Sequence, residues 1–282
     1  MHAMNAIPEL LGLIAGKGVY PQLVAAGAKK RGVRKVVAVA FRGETDRAIE
    51  KHADEVKWVY LGQLGVVLDE LQAAGVKKAI MAGQITPTHL FRLRFDRKAL
   101  EILRRLKLRN AETIFGAVAA ELKACGIDLL PASTFMEDHM PQAGTLSRRS
   151  PTEAEKQDID LGLKAARITS NLDIGQTVIV KEGTILAVEA FEGTNAAIRR
   201  AAALGGSGIV IVKVAKQGHD MRFDIPVVGL ETMRLLKKVK AAVLAVEAGR
   251  AILLEMDRVI SEADRIGLCL VAIPCDRLQS PV

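Results

Sequence analysis

Lys213 to Gly229, KVAKQGHDMRFDIPVVG, is the stretch from which the rest of the chain can be read. It follows Ile209, Val210, Ile211 and Val212, an unbroken apolar run of the kind that forms a strand buried on both faces. A second apolar run, Pro226 to Val228, closes it at Gly229. Lys213, Lys216, His219, Asp220, Arg222 and Asp224 lie between. A loop carrying both signs of charge after a buried strand is where an α/β protein places ligand chemistry. Composition alone is met equally well by a solvated loop whose charges keep it soluble.

Working outward, the first half of the chain alternates strand and helix. Leu11 to Ile14 reads as a short buried strand and runs into Ala15-Gly16-Lys17-Gly18-Val19-Tyr20-Pro21. A glycine turn between strand and helix lets backbone amides approach a phosphate, and Pro21 suits a helix start. The pattern lacks the third glycine of a dinucleotide fingerprint and the Gly-Lys-Ser/Thr of a P-loop, so a plain tight turn reads as well. Val36 to Ala40, Val56 to Tyr60 and Lys77 to Ile80 are further strands, with Leu64 to Ala74 a helix. The last of these strands leads into Met81-Ala82-Gly83-Gln84, whose small residues suit either a ligand crevice or a tight bend. Such alternation predicts a parallel sheet flanked by helices.

The segment Phe91 to Arg109 holds eight Lys/Arg against Asp96 and Glu101. Ala99, Ile102, Leu103, Leu106 and Leu108 form a helical apolar stripe beside Arg104, Arg105 and Lys107. Such a helix either packs its stripe on its own core or lies on an anionic membrane surface. Thr113 to Cys125 reads as a helix and Ile127 to Leu130 as a strand. Periodicity is then lost from Pro131 to Ser150. The expected organisation is a first domain over residues 1–133, a linker over 134–150 and a second domain over 151–282. In the second, a helix from Thr152, a hairpin about Glu182-Gly183, helices over Glu231 to Ala241 and Asp257 to Ile266, and strands over Val243 to Ala245 and Leu268 to Ile273 are expected.

The bulk numbers agree with two packed domains. The chain has 282 residues, half of them hydrophobic and only 4% aromatic, which favours aliphatic helices layered on strands. Its net charge of +8 suits an anionic partner. Cys125, Cys269 and Cys275 show no CxxC spacing, so neither a disulfide framework nor a structural zinc is expected. No signal peptide or spanning segment is read, and a cytoplasmic protein is the expectation. No G-x-S-x-G or H-E-x-x-H motif occurs, and Asp/His clusters are too few for a two-metal phosphoesterase. A single magnesium, completed by waters and substrate phosphates, fits better.

KVAKxxxDMRFDIPVVG, LIAGxGxxP at the first strand, Met81-Ala82-Gly83, Glu192-Gly193-Thr194-Asn195 and Glu247-Ala248-Gly249-Arg250 together resemble the LpxI-type UDP-2,3-diacylglucosamine pyrophosphatases. That family has an Asn-Gln pair at Gly218-His219 and an Asp at Asn195. The resemblance implies a Rossmann-like parallel-sheet domain holding UDP, a mixed α/β domain holding the acylated sugar, and the reacting phosphates in the cleft between them. It implies hydrolysis of the pyrophosphate bond to UMP and 2,3-diacylglucosamine 1-phosphate in lipid A biosynthesis. Asp224 is then the catalytic residue and the ligand of Mg2+ or Mn2+. Lys213 and Arg222 offset phosphate charge, and Gly16, Lys17, Gly18, Ala82, Gly83, Glu192, Gly193, Thr194 and Asn195 contact substrate. The implied partners are the lipid-linked UDP-sugar and, peripherally, the anionic inner-membrane surface. No nucleic acid is expected, and a homodimer is left open. Rival readings are a non-catalytic nucleic-acid-binding protein, against which no helix-turn-helix, zinc-finger or RNA-recognition pattern appears, and a nucleotide-sugar sensor or transferase of the same fold.

Overall fold

The computed structural model describes residues 7–85, 95–107, 111–215, 221–223 and 225–274. The chain divides into two compact units. The first comprises residues 1–137 together with Asp220–Phe223, and the second Asp138–His219 together with Asp224–Val282.

In the first unit, β1 (Leu10–Ala15), α1 (Tyr20–Lys30), β2 (Lys35–Phe41), β3 (Glu55–Val59), α2 (Leu64–Ala73) and β4 (Lys78–Ala82) alternate. They are followed by α3 (Arg97–Arg105), α4 (Ala111–Ala124) and β5 (Asp128–Leu129). The five strands form one parallel sheet in the order β3-β2-β1-β4-β5. Leu11 to Ala15 and Val36 to Phe41 are buried throughout, as strands covered on both faces must be. The chain leaves β1 to one side for β2 and β3, then returns to the other for β4 and β5. The switch point therefore lies between the C-terminal ends of β1 and β4, with Ala15 and Ala82 in register. Asp96 caps α3 by accepting from the Ala99 amide at 2.8 Å, and its other oxygen accepts from Gly65 of α2 at 2.7 Å.

The second unit holds β6 (Gly144–Thr145), α5 (Glu153–Asn171), β7 (Thr177–Lys181), β8 (Thr184–Val188), α6 (Thr194–Gly205) and β9 (Val210–Lys213). After these come β10 (Val227–Val228), α7 (Leu230–Val239), β11 (Val243–Glu247), β12 (Ile252–Leu253), α8 (Met256–Ile266) and β13 (Cys269–Ile273). Its sheet is mixed, in the order β6-β13-β11-β9-β7-β8, with β13, β11 and β9 parallel. The pair β10-β12 stands apart as a small parallel ladder. Ile159, Leu163 and Ala166 of α5 pack on one face with Val178, Val180 and Val212, while α6, α7 and α8 cover the face of Ile179 and Ile211.

Two local devices explain the second unit's first half. Thr152 and Glu155 form a reciprocal capping box at the start of α5. The β7–β8 turn places Glu182 at φ +49° and Gly183 at φ +75°, the mirror-image turn that suits strand twist. Buried Asp158 of α5 accepts from both turn amides, at 2.9 Å and 2.7 Å. Residues 138–150, read from sequence as linker, belong to the second unit and carry β6, which pairs with β13. Among the described residues no helix is long and apolar enough to cross a membrane.

Candidate functional site

At the switch point of the first unit, the loops after β1 and β4 are stitched together. The Gly16 amide donates to the Ala82 carbonyl at 2.8 Å, and the Lys17 amide to Gln84 at 2.8 Å. The Gln84 amide donates back to Lys17 at 3.1 Å. Thr45, buried and not singled out by any motif, donates to the Ala15 carbonyl and accepts from the Phe41 amide at 2.9 Å. It thereby ties the ends of β1 and β2. Beyond Gly18, at φ +92°, α1 begins with no side-chain cap, so its first amides are available to an anion. Tyr20 in its first turn donates to the Ala132 carbonyl, and burial pushes its phenol far above the usual value.

A cavity of about 210 Å³ adjoins these loops, lined by Ile14, Phe41, Phe115 and Phe223 and by the backbone around Gly16 and Gly83. The rings of Phe115 and Phe223 lie 5.8 Å apart, tilted by 37°. Phe223 reaches this cavity because the short segment Asp220–Phe223 joins the first unit, where the Ala132 amide donates to Met221 at 2.8 Å. Aromatic faces beside the uncapped start of a helix suit a planar heterocycle carrying phosphate.

The second unit gathers a polar group at the C-terminal end of β9. Lys213, buried to all but 8% of its surface, donates to Thr194 Oγ1 at 3.0 Å. Thr194 donates to Glu189 Oε1 at 2.8 Å, and Thr177 Oγ1 lies 3.4 Å from Thr194 Oγ1. On the next strand Glu247, 2% exposed, accepts from the Ala215 amide at 2.7 Å. Burial raises its carboxyl above the ordinary range, against the lowering effect of that amide and of Arg250 and Arg167.

Residues 10–139 match the LpxI N-terminal domain family and residues 142–271 the LpxI C-terminal domain family. The chain is 30% identical over 276 residues to the UDP-2,3-diacylglucosamine pyrophosphatase LpxI of Caulobacter vibrioides, covering 93% of this chain and 97% of that protein. This chain belongs to the LpxI family. A solved structure described as "Crystal structure of gox2253" superposes with a TM-score of 0.30 at 13% identity, over 96% of this chain and 79% of that one.

The residues that the LpxI resemblance marks as substrate contacts fall into two groups. Gly16, Lys17, Gly18, Ala82 and Gly83 come together in the first unit, and Gly193, Thr194, Asn195 and Lys213 in the second. Glu192 is drawn aside. It pairs with Arg200 at 2.6 Å and accepts from Ala190, and Arg200 holds its carboxyl below the usual carboxylate range. Arg222 is half-buried in the first unit. Asp224, the residue read as catalytic and metal-binding, lies outside the described residues, as do Lys216, His219 and Asp220. Among the described residues no three His, Cys, Asp or Glu gather as a metal cluster. Thr45, Phe115 and Glu189 were not read from the sequence. Glu189 had one legible signal, its position across the hairpin from Thr177 and five residues before Thr194.

Proposed function

We propose that the protein hydrolyses the pyrophosphate bond of UDP-2,3-diacylglucosamine, giving UMP and 2,3-diacylglucosamine 1-phosphate. The observation that carries this reading is the cavity of Phe115 and Phe223 beside the Gly16–Gly83 loops, in a chain whose LpxI relative bears that activity in its name. The cavity takes the uracil ring, and the uncapped start of α1 takes the diphosphate. Lys213 offsets charge that grows on the phosphate as the bond breaks. Asp224 orients the attacking water or holds Mg2+, for which Mn2+ can substitute. Such an ion, retaining waters and sharing the phosphate oxygens, needs only one or two protein carboxylates and would polarise the phosphoryl group. The described residues by themselves supply no such centre.

The proposal extends to location. Arg97 and Arg105 of α3 are exposed, although they pair with Glu101 and Glu121, and each cation near an anionic bilayer adds about 1 kcal/mol of attraction. On this reading the protein is cytoplasmic and meets the inner membrane peripherally.

The deciding experiment incubates purified protein with UDP-2,3-diacylglucosamine and Mg2+ and follows both products. UMP and the lipid phosphate should appear in equal amounts. Absence of UMP release with Mg2+, with Mn2+ and without metal would sink the hydrolase reading, and transfer of the sugar phosphate to an acceptor other than water would replace it with a transferase.

A further inference from the structure

The polar group at the end of β9 has a direction that chemistry dictates. Lys213 carries only donors, so Thr194 Oγ1 accepts from it. A threonine hydroxyl has one proton, and that of Thr194 goes to Glu189 Oε1. Thr177, 3.4 Å away, is left to face Thr194 as a donor. The chain therefore runs Lys213 to Thr194 to Glu189, and all three residues belong to the second unit.

We propose that Glu189 is a positioning residue for the reaction. By taking the Thr194 proton it turns that hydroxyl's lone pairs toward Lys213, and so holds the ammonium where the substrate's phosphate is met. The inference rests on the hydrolase reading above.

Three observations support it. Glu189 is about nine-tenths buried, and its Oε2 is enclosed with no hydrogen-bond partner. Folding leaves such an acceptor unmatched at a cost that an apolar residue at this position would avoid, so its presence points to a task other than packing. The backbone beneath it is clamped, because a Cβ on Gly175 would fall 2.0 Å from the Glu189 carbonyl oxygen. At the other end Thr194 opens α6 directly after Gly193, whose φ of +82° sets the turn. Both ends of the Glu189–Thr194 contact are thus fixed by backbone, and the hydroxyl they fix is the one that accepts from Lys213.

The test is steady-state kinetics with UDP-2,3-diacylglucosamine on wild type, Thr194→Val, Thr194→Ser, Glu189→Leu, Glu189→Gln and the Thr194→Val/Glu189→Leu double variant, with melting temperatures in parallel. Thr194→Val and Glu189→Leu should each lower kcat about 10-fold to 100-fold with KM within about threefold, the scale on which partners of a site's ligands act. The double variant should be no worse than either single one, because each breaks the same chain. Thr194→Ser and Glu189→Gln, which preserve hydroxyl and acceptor, should stay within about threefold of wild type. Multiplying losses in the double variant, unchanged kcat in Glu189→Leu, or a Glu189→Gln as slow as Glu189→Leu would each overturn the inference while leaving the hydrolase reading intact. A wild-type protein that releases no UMP would remove that reading and this inference with it.

Discussion

Gly16 and Gly83 meet backbone to backbone: a Cβ on either would lie 2.8 Å from the carbonyl carbon of the other. At Gly83 the strain is double, since φ there is +97°. Gly83→Ala must therefore push the two loops apart, and we expect a loss of about 2–4 kcal/mol in unfolding free energy together with weakened UMP binding. Gly18 is the contrast. It also has positive φ, at +92°, but nothing lies within 4 Å of a Cβ there. Gly18→Ala should cost only about 1 kcal/mol of backbone strain. Equal losses in denaturant titrations of the two variants would show that crowding at Gly83 is not the cause.

The aromatic pair of the first unit gives a second expectation. If Phe115 and Phe223 hold the nucleobase, Phe223→Ala should weaken UMP inhibition roughly tenfold, within the 1–3 kcal/mol that stacking on one ring contributes. Because the rings touch, the double alanine variant should lose less than the product of the single losses. Unaltered UMP inhibition in both single variants would take the base out of this cavity.

Glu247 sets up a pH dependence whose sign is definite. Burial raises its carboxyl, so the folded protein binds that proton more tightly than the unfolded chain does. The associated stability is complete below the unfolded value and is lost as pH rises through the raised folded value. Glu247→Gln keeps an acceptor for the Ala215 amide and removes the charge. It should melt above wild type near about pH 8, with the gap closing toward about pH 4, where an ordinary Glu is half or more protonated. A lower melting point than wild type at the higher pH would mean that Arg167 and Arg250 outweigh burial.

The first unit was largely legible because its strands are apolar runs of the length a doubly covered parallel sheet demands, and Gly16 and Gly83 stand at their ends. The two-residue strands β6 and β12 were not, since so short a ladder leaves no periodicity and exists only through its tertiary partner, whereas β10 falls within the apolar run Pro226 to Val228. For the same reason residues 134–150 read as a linker although Gly144 and Thr145 within them pair into the second sheet. Nothing in Met221-Arg222-Phe223 signals that these residues group with the first unit. Lys213 and Thr194 were marked by motif, but the carboxylate that orients them comes from the end of a hairpin strand, and only the fold brings Glu189 to Thr194.

Asp224 carries the last prediction, from its place in MRFDIPVVG immediately after Phe223. A carboxylate there that positions metal or water contributes to the transition state and not to ground-state binding. Asp224→Ala should accordingly abolish turnover in kcat while KM changes little. Removal of a negative charge can even tighten binding of the anionic diphosphate. Asp220, four residues earlier, is the control. An inactive Asp220→Ala beside an active Asp224→Ala would reverse the assignment. Two variants each slowed about tenfold, roughly 1.4 kcal/mol apiece, would show that neither carboxylate is the principal catalytic group.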